Sequence, residues 1–252
     1  DSSYRGAAFF YERDSSGSWT QKHIFTQAAG DRFGYSVAID GNYAVIGAYG
    51  NDTYKGAAYI YQLSSGSWSY TLTKLTASDR AIYDRFGESV AISGDNIIVG
   101  APECDSRKGA VYFYKYQLSS GWTEIRRFDS STTRVVNDYF GSSVAISGDY
   151  AIVGTAAKNS NKGEIDVYKL SGGTWSHKEN ITASDASNND YFGSSVAIDG
   201  DYAIIGATQY STSNNGSAYI FKRDSSTDTW SQTQKVIASD GASGDSFGRV
   251  AI

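Results

Sequence analysis

Phe33-Gly34-Tyr35-Ser36-Val37-Ala38-Ile39-Asp40-Gly41-Asn42-Tyr43-Ala44-Val45-Ile46-Gly47-Ala48 decides the architecture, because the chain repeats it. Ser36 to Ile39 alternates as a strand does, Asp40-Gly41-Asn42 is a turn, and Ala44 to Ala48 is a nearly all-apolar strand. Phe-Gly returns at Phe86-Gly87, Phe140-Gly141, Phe192-Gly193 and Phe247-Gly248, every 52 to 55 residues. Trp19, Trp68, Trp122, Trp175 and Trp230 follow the same beat. Between these markers each unit has a third strand that opens with Gly and alternates aromatics (Gly56-Ala57-Ala58-Tyr59-Ile60-Tyr61). A Ser-Gly turn then leads to a fourth strand beginning at Trp, such as Trp68 to Thr76.

A period of about 50 residues, each unit four short strands joined by tight turns, is the signature of a β-propeller. The predicted fold is all-β, a propeller of four-stranded antiparallel blades, with four complete repeats and a split, incomplete fifth. A flat solenoid would need a shorter repeat. The expected boundaries are a partial blade at 1–32, blades at 33–85, 86–139, 140–191 and 192–246, and a partial blade at 247–252, within one domain. Blades stack face to face, so second strands such as Asn96-Ile97-Ile98-Val99-Gly100-Ala101 are apolar on both sides. Five Phe-Gly strands, five third strands and five Trp strands stand against only four Gly-Ala-type second strands. The chain starts in a third strand and stops inside a first (Val250-Ala251-Ile252), leaving a gap in one ladder. It therefore reads as part of a longer propeller, or as a five-bladed ring with one defective blade that another chain completes.

Composition narrows the function. The 252 residues are 40% hydrophobic and carry a net charge of −5, so the chain can bury a core but lacks the basic surface that nucleic acid requires. No apolar run approaches the roughly 18 residues of a membrane-spanning helix. Cys104 is the single cysteine, which excludes an internal disulfide and a thiolate zinc site.

Phe33-Gly34…Val45-Ile46-Gly47-Ala48 and Phe86-Gly87…Val99-Gly100-Ala101-Pro102, recurring as Phe140-Gly141…Val153-Gly154-Thr155 and Phe192-Gly193…Ile205-Gly206-Ala207, resemble the FG-GAP repeat family. Its best-known members form the propeller of integrin α subunits; the Trp-Ser and Trp-Thr fourth strands look closest to the bacterial and protist branch. The resemblance covers nearly the whole chain and implies a propeller used for adhesion or scaffolding. It also implies calcium loops of the Asp-x-Asp-x-Asp-Gly kind. Here the equivalent turns (Ser147-Gly148-Asp149-Tyr150, Asp199-Gly200-Asp201-Tyr202) are short and poor in carboxylates, so no metal is expected.

Strand order puts the turns between strands one and two, and three and four, on one face. The loops between two and three, and from four into the next blade, lie on the other. The second set is longer and more varied, and recognition is expected there. Candidate binding-face residues are Tyr49, Asp52, Tyr54, Lys55, Glu103, Arg107, Lys108, Asn159, Lys162, Gln209, Tyr210 and Asn214. An Asp two residues before every Phe (Asp31, Asp84, Asp138, Asp190, Asp245) reads as structural, binding backbone N–H groups of its turn. The basic residues before the third-strand Gly (Arg5, Lys55, Lys108, Lys162) form a second ring. Glu164 and Asp166 replace Ala57 and Tyr59 of the second unit and share one side of a strand. They are read as exposed or lysine-paired, or else as a blade face adapted to a partner or cation.

No catalytic constellation is visible. His23 and His177 fall on outermost strands and Cys104 in a loop, where it reads as a spectator thiol or an intermolecular bridge. Asn51, Asn180 and Asn215 begin sequons and are the candidate glycosylation sites. The sequence thus predicts a non-enzymatic extracellular or cell-surface propeller without cofactor that binds a protein or self-assembles. The alternative is a lectin-like module whose platforms would be Tyr49, Tyr54, Tyr83, Tyr139, Tyr191 and Tyr210.

Overall fold

The computed structural model describes residues 6–129, 134–208, 215–242 and 244–252. Arg5, Gln209, Tyr210 and Asn214 lie outside them. The first sheet has two strands, β1 (Ala7–Arg13) and β2 (Trp19–Thr26). Four four-stranded meanders follow. They are β3 (Val37–Asp40) to β4 (Tyr43–Ala48), β5 (Ala57–Ser64) and β6 (Ser67–Leu75); then β7 (Ser89–Ser93), β8 (Asn96–Ala101), β9 (Ala110–Gln117) and β10 (Gly121–Phe128). Next come β11 (Ser143–Ser147), β12 (Tyr150–Thr155), β13 (Glu164–Ser171) and β14 (Thr174–Ile181). Last are β15 (Phe192–Asp199), β16 (Tyr202–Ala207), β17 (Ser217–Asp224) and β18 (Thr229–Val236). Every strand pairs antiparallel with its sequence neighbour in the sheet, and each third–fourth pair carries a bulge that sharpens its twist. The expected first strand at Val250–Ile252 does not form, because no second strand lies beside it among the described residues.

The core lies between blades more than within them. Val45 and Ile60 of one blade share a cluster with Val90, Ile97, Val99 and Tyr112 of the next. Ile98, Val111 and Phe113 meet Ile146, Val153 and Tyr168 at the following interface, and Ile152, Ile165 and Val167 meet Ile198, Ile205 and Tyr219 at the one after. This sandwiching accounts for the apolar second strands.

The three glycines of each repeat meet at one joint. Gly56 bridges Phe86 of the next unit, as Gly109 does Phe140, Gly163 does Phe192 and Gly216 does Phe247. A Cβ on Gly56 would stand 1.9 Å from the Phe86 carbonyl oxygen, and one on Gly47 would stand 2.1 Å from the Gly87 carbonyl oxygen. No side chain fits at either position. The serine after each of the first four Phe-Gly-x triplets then donates to the next unit's glycine carbonyl: Ser36 to Gly87 at 2.8 Å, Ser89 to Gly141 at 2.8 Å, Ser143 to Gly193 at 2.7 Å and Ser195 to Gly248 at 2.7 Å.

At the opposite face the short turns clasp one another. Asp40 accepts from the Gly94 N–H at 2.6 Å, Ser93 from Gly148 at 3.1 Å and Ser147 from Gly200 at 3.1 Å. Asp201 is joined to Arg223. Asp40, Ser93, Ser147 and Asp201 thus spend side-chain oxygens on neighbouring blades and on Arg223.

Candidate binding face and axial cavity

Three of the loops expected to vary share one backbone shape. At Asn51–Tyr54, Cys104–Arg107 and Lys158–Asn161 the chain makes a turn in which three successive residues have positive φ. They are Asp52-Thr53-Tyr54, Asp105-Ser106-Arg107 and Asn159-Ser160-Asn161, with φ from 50° to 67°. A left-handed turn without glycine costs about 1–2 kcal/mol per residue, less for Asp and Asn. Its carbonyls offset the cost by capturing the next inter-blade loop. Tyr54 O accepts from Arg85 N at 2.8 Å, Arg107 O from Tyr139 N at 2.9 Å and Asn161 O from Tyr191 N at 2.8 Å. The two loop sets therefore form one continuous face with a fixed frame and changing side chains.

The Asp ring braces that frame. Asp84, Asp138, Asp190 and Asp245 accept from the N–H groups of Ala81, Val135, Ser187 and Ala242 at 2.6–2.8 Å, and Asp31 instead takes the Asn51 amide at 2.9 Å. Lys55 and Lys108 pair with Asp52 and Asp105, each at 3.3 Å. Glu103 lies 3.2 Å from Arg85 and 3.7 Å from Arg107. Asn159 and Lys162 stand exposed at the rim.

In the middle of this face opens a cavity of about 860 Å³. Tyr35, Glu88, Ser142, Ser194 and Arg249, the residues that follow each Phe-Gly, all line it. So do Tyr139 and Tyr191, which precede a Phe-Gly and hold φ of 56° and 55°. First and last repeats meet here: Tyr35 lies near enough to Arg249 and Glu88 to feel both charges, and burial, then Glu88, raises its hydroxyl pKa. Burial also pushes the Glu88 carboxyl up, against the pull of Arg85. An aromatic run leads outward from the cavity, Tyr35 to Tyr49 (4.6 Å between ring centroids), Tyr49 to Tyr54 (6.1 Å) and Tyr54 to Tyr83 (5.9 Å), with Arg85 over both Tyr49 and Tyr54. Tyr49, expected as an exposed ring, is buried under Tyr35, and Tyr35 is the ring exposed at this point of the face. Sequence reasoning passed over Tyr35, Glu88 and Arg249 because they sit inside the most regular motif. The one available signal was that this position alone differs in nearly every copy.

Glu164 and Asp166 are buried and paired. Asp166 receives Arg134 at 2.5 Å and lies 3.4 Å from His177; Glu164 receives Lys158 at 2.6 Å; Asn180 donates to both, at 2.8 and 3.0 Å. One cation per anion makes this an internal brace: Glu164 has the lysine partner that was one of the expected outcomes, and burial rules out the exposed one. Among the described residues no group of three or more His, Cys, Asp or Glu is arranged to hold a metal ion. Cys104 is buried against Arg127, which removes it as an intermolecular bridge. The sequon amides are also engaged in hydrogen bonds: Asn51 to Asp31, Asn180 to the two carboxylates and Asn215 to the Gly241 carbonyl at 2.9 Å.

Blades, joints and a loop face around an axial cavity define a β-propeller built from tandem sequence repeats. The FG-GAP repeat model matches residues 19–61, 70–114, 133–168, 175–221 and 230–252, most of the chain, and the chain belongs to this family. No curated protein sequence matches it. Among solved structures it is similar to a candidate 6-phosphogluconolactonase from Bacteroides uniformis, at 12% identity and a TM-score of 0.63 over 92% of this chain and 64% of that one. It is also similar to a protein from Lactobacillus plantarum, at 15% identity and a TM-score of 0.56 over 94% of this chain and 68% of that one. The chain thus spans just under two thirds of the first of these. Both likenesses carry the fold alone.

Proposed function

We propose that this propeller is a non-enzymatic, extracellular scaffold that binds a protein partner through the face around the axial cavity. The observation that carries the reading is the position after each Phe-Gly. Its neighbours are held by joints common to the units, while it presents Tyr35, Glu88, Ser142, Ser194 and Arg249 to one cavity. Variation at a position that faces a shared cavity, on a frame held constant, supports recognition there. Neither histidine nor the cysteine lines that cavity, which supports binding over catalysis. The lysine-poor surface rich in Tyr, Ser and Thr supports the extracellular setting.

A second reading has one specific observation in its favour: Tyr139 and Tyr191, with Asn137 and Asn161, line a cavity wide enough for a sugar ring. Site-specific photo-cross-linkers at Tyr35 and at Ser65, on the opposite face, test the first reading. Adducts to protein from Tyr35 and none from Ser65 support it; equal labelling overturns it. A glycan array with Tyr139→Ser and Tyr191→Ser as controls tests the second.

A further inference from the structure

Departures from the repeat converge on the side chain of Asn51. In the Asp ring, Asp84, Asp138, Asp190 and Asp245 accept from backbone N–H groups of their own turns, whereas Asp31 accepts from the Asn51 amide nitrogen at 2.9 Å. On the fourth strands, Lys74, Arg127 and Lys235 share one register position, opposite Tyr59, Tyr112 and Tyr219. Arg127 reaches the carboxylate of Asp79 at 2.9 Å, and Lys235 that of Asp185 at 2.6 Å. Lys74 instead donates to a neutral acceptor, Asn51 Oδ1, at 2.7 Å. Asp52, the carboxylate of the adjoining turn, is held by Lys55 at 3.3 Å and Arg80 at 3.0 Å. One amide is therefore gripped at its oxygen by an amine and at its nitrogen by a buried carboxylate. Tyr59 closes the site, its hydroxyl 3.5 Å from Asn51 Nδ2 and its ring centre 5.8 Å from Lys74 Nζ.

We propose that Lys74 and Asn51 join in an isopeptide bond, formed by the folded chain itself with release of ammonia. Asn51 Cγ lies one carbonyl bond, about 1.23 Å, beyond Oδ1, so Lys74 Nζ is within about 4 Å of the carbon it attacks. The attacking group is the free amine. Partial burial, and then the charge of Arg80, lower the Lys74 pKa from its ordinary 10.5, and among the described residues no ion pair holds its ammonium form. Nζ loses its ammonium proton to solvent and adds to Cγ. Asp31, which touches Nδ2, takes the next proton shed by Nζ and returns it to Nδ2. The Cγ–Nδ2 bond then breaks and ammonia leaves. One C–N bond forms and one breaks, so no oxidant or reductant takes part. In the third complete sheet the two residue types are exchanged, with Lys158 in the turn and Asn180 on the strand. There Glu164 holds Lys158 as an ion pair at 2.6 Å, and no bond is expected. The bond at Asn51 staples a turn of the binding face to β6, in a chain whose single cysteine allows no internal disulfide. It also removes the nitrogen that a glycan on Asn51 would need.

The test weighs the whole chain, produced in bacteria so that no sequon is glycosylated, by mass spectrometry after denaturation, and then digests it with trypsin. The expected mass is below that of the sequence by about 17 Da, one ammonia. The digest should hold a branched peptide of residues 33–55 joined to residues 56–80, uncut at Lys74. Lys74→Arg keeps the cation and cannot form the amide, so it should show its full sequence mass. Asp31→Asn keeps the shape of the side chain and cannot carry the proton, so it should show its full mass as well. A parent chain at its full sequence mass overturns the proposal. A loss of ammonia that survives Lys74→Arg also overturns it, because the Asn51 side chain would then have closed on the backbone nitrogen of Asp52. So does a branch mapped to other residues, or an equal loss of ammonia in Asp31→Asn.

Discussion

The Ser89 hydroxyl donates to the carbonyl oxygen of Gly141 across 52 residues of chain, at 2.8 Å and buried from solvent. The same bond recurs at the other joints, and Gly100 lies beside it, where a Cβ would stand 2.1 Å from that carbonyl and 2.3 Å from the Ser89 hydroxyl. Gly100→Ala is therefore expected to cost about 3 kcal/mol or more, since backbone must move to admit the methyl. Gly94→Ala, in a turn with no atom within 4 Å of a Cβ but φ of +53°, should cost about 1 kcal/mol. Urea denaturation of both variants checks the contrast; equal losses would show that the joint is looser than its geometry.

Ser89→Ala removes one neutral hydrogen bond and leaves the Gly141 carbonyl without its side-chain donor. A loss of about 1–2 kcal/mol is expected by the same measurement. Ser142→Ala, at an adjacent residue that faces the axial cavity, should change stability by less than about 0.5 kcal/mol.

Arg134 and Asp166 are both almost fully buried. Burial alone would raise the Asp166 pKa, but His177 and Arg134 outweigh it and hold the carboxyl below its ordinary 3.8. A depressed folded-state pKa contributes stability that is present above 3.8 and is lost as pH falls through the lower folded value. Asp166→Asn should therefore reduce the melting temperature near neutral pH and flatten its fall below about pH 4. Arg134→Met, which strands the buried carboxylate, should cost about 3–5 kcal/mol, and the pair replaced together should cost less than the sum of the singles.

Legibility in the sequence followed from how local each signal was. The Phe-Gly, Gly-Ala and third-strand glycines were readable because each is demanded by a contact that excludes a Cβ, so all complete copies keep them. The left-handed turns at Asn51–Tyr54, Cys104–Arg107 and Lys158–Asn161 were not, because no glycine marks their positive φ and their stabilisation comes from loops about 30 residues on. Arg134 could not be matched to Asp166 for a similar reason: the two lie 32 residues apart, on a loop and a strand of successive units, and only packing brings them together.

Cys104 is expected to stay silent toward thiol reagents in the folded protein, because burial pushes its thiol pKa up and thiolate is the reactive form. Labelling with a maleimide or an aromatic disulfide should appear only with unfolding, and its rate should track the global unfolding equilibrium. Rapid labelling under native conditions would mean that the Cys104–Arg107 turn opens on its own.

The Asn180 amide offers a separate check. Both of its N–H groups are used on Glu164 and Asp166, so a glycan there would displace one of them from the brace. Thr182→Ala, which abolishes the sequon and keeps Asn180, should change the mass of the protein expressed through a eukaryotic secretory route by no more than the substitution itself, and its melting temperature by no more than about 2 °C.

The clasps from Asp40 to Gly94, Ser93 to Gly148 and Ser147 to Gly200 are placed one per blade boundary, like rungs of equal spacing. Tension applied along such an array loads one boundary at a time and not the whole ring at once. Each rupture would free about one repeat, lengthening the chain by roughly 180 Å at full extension. A protein pulled between two anchors would thus yield in steps, keeping its remaining blades intact and able to re-form the lost one when the load falls.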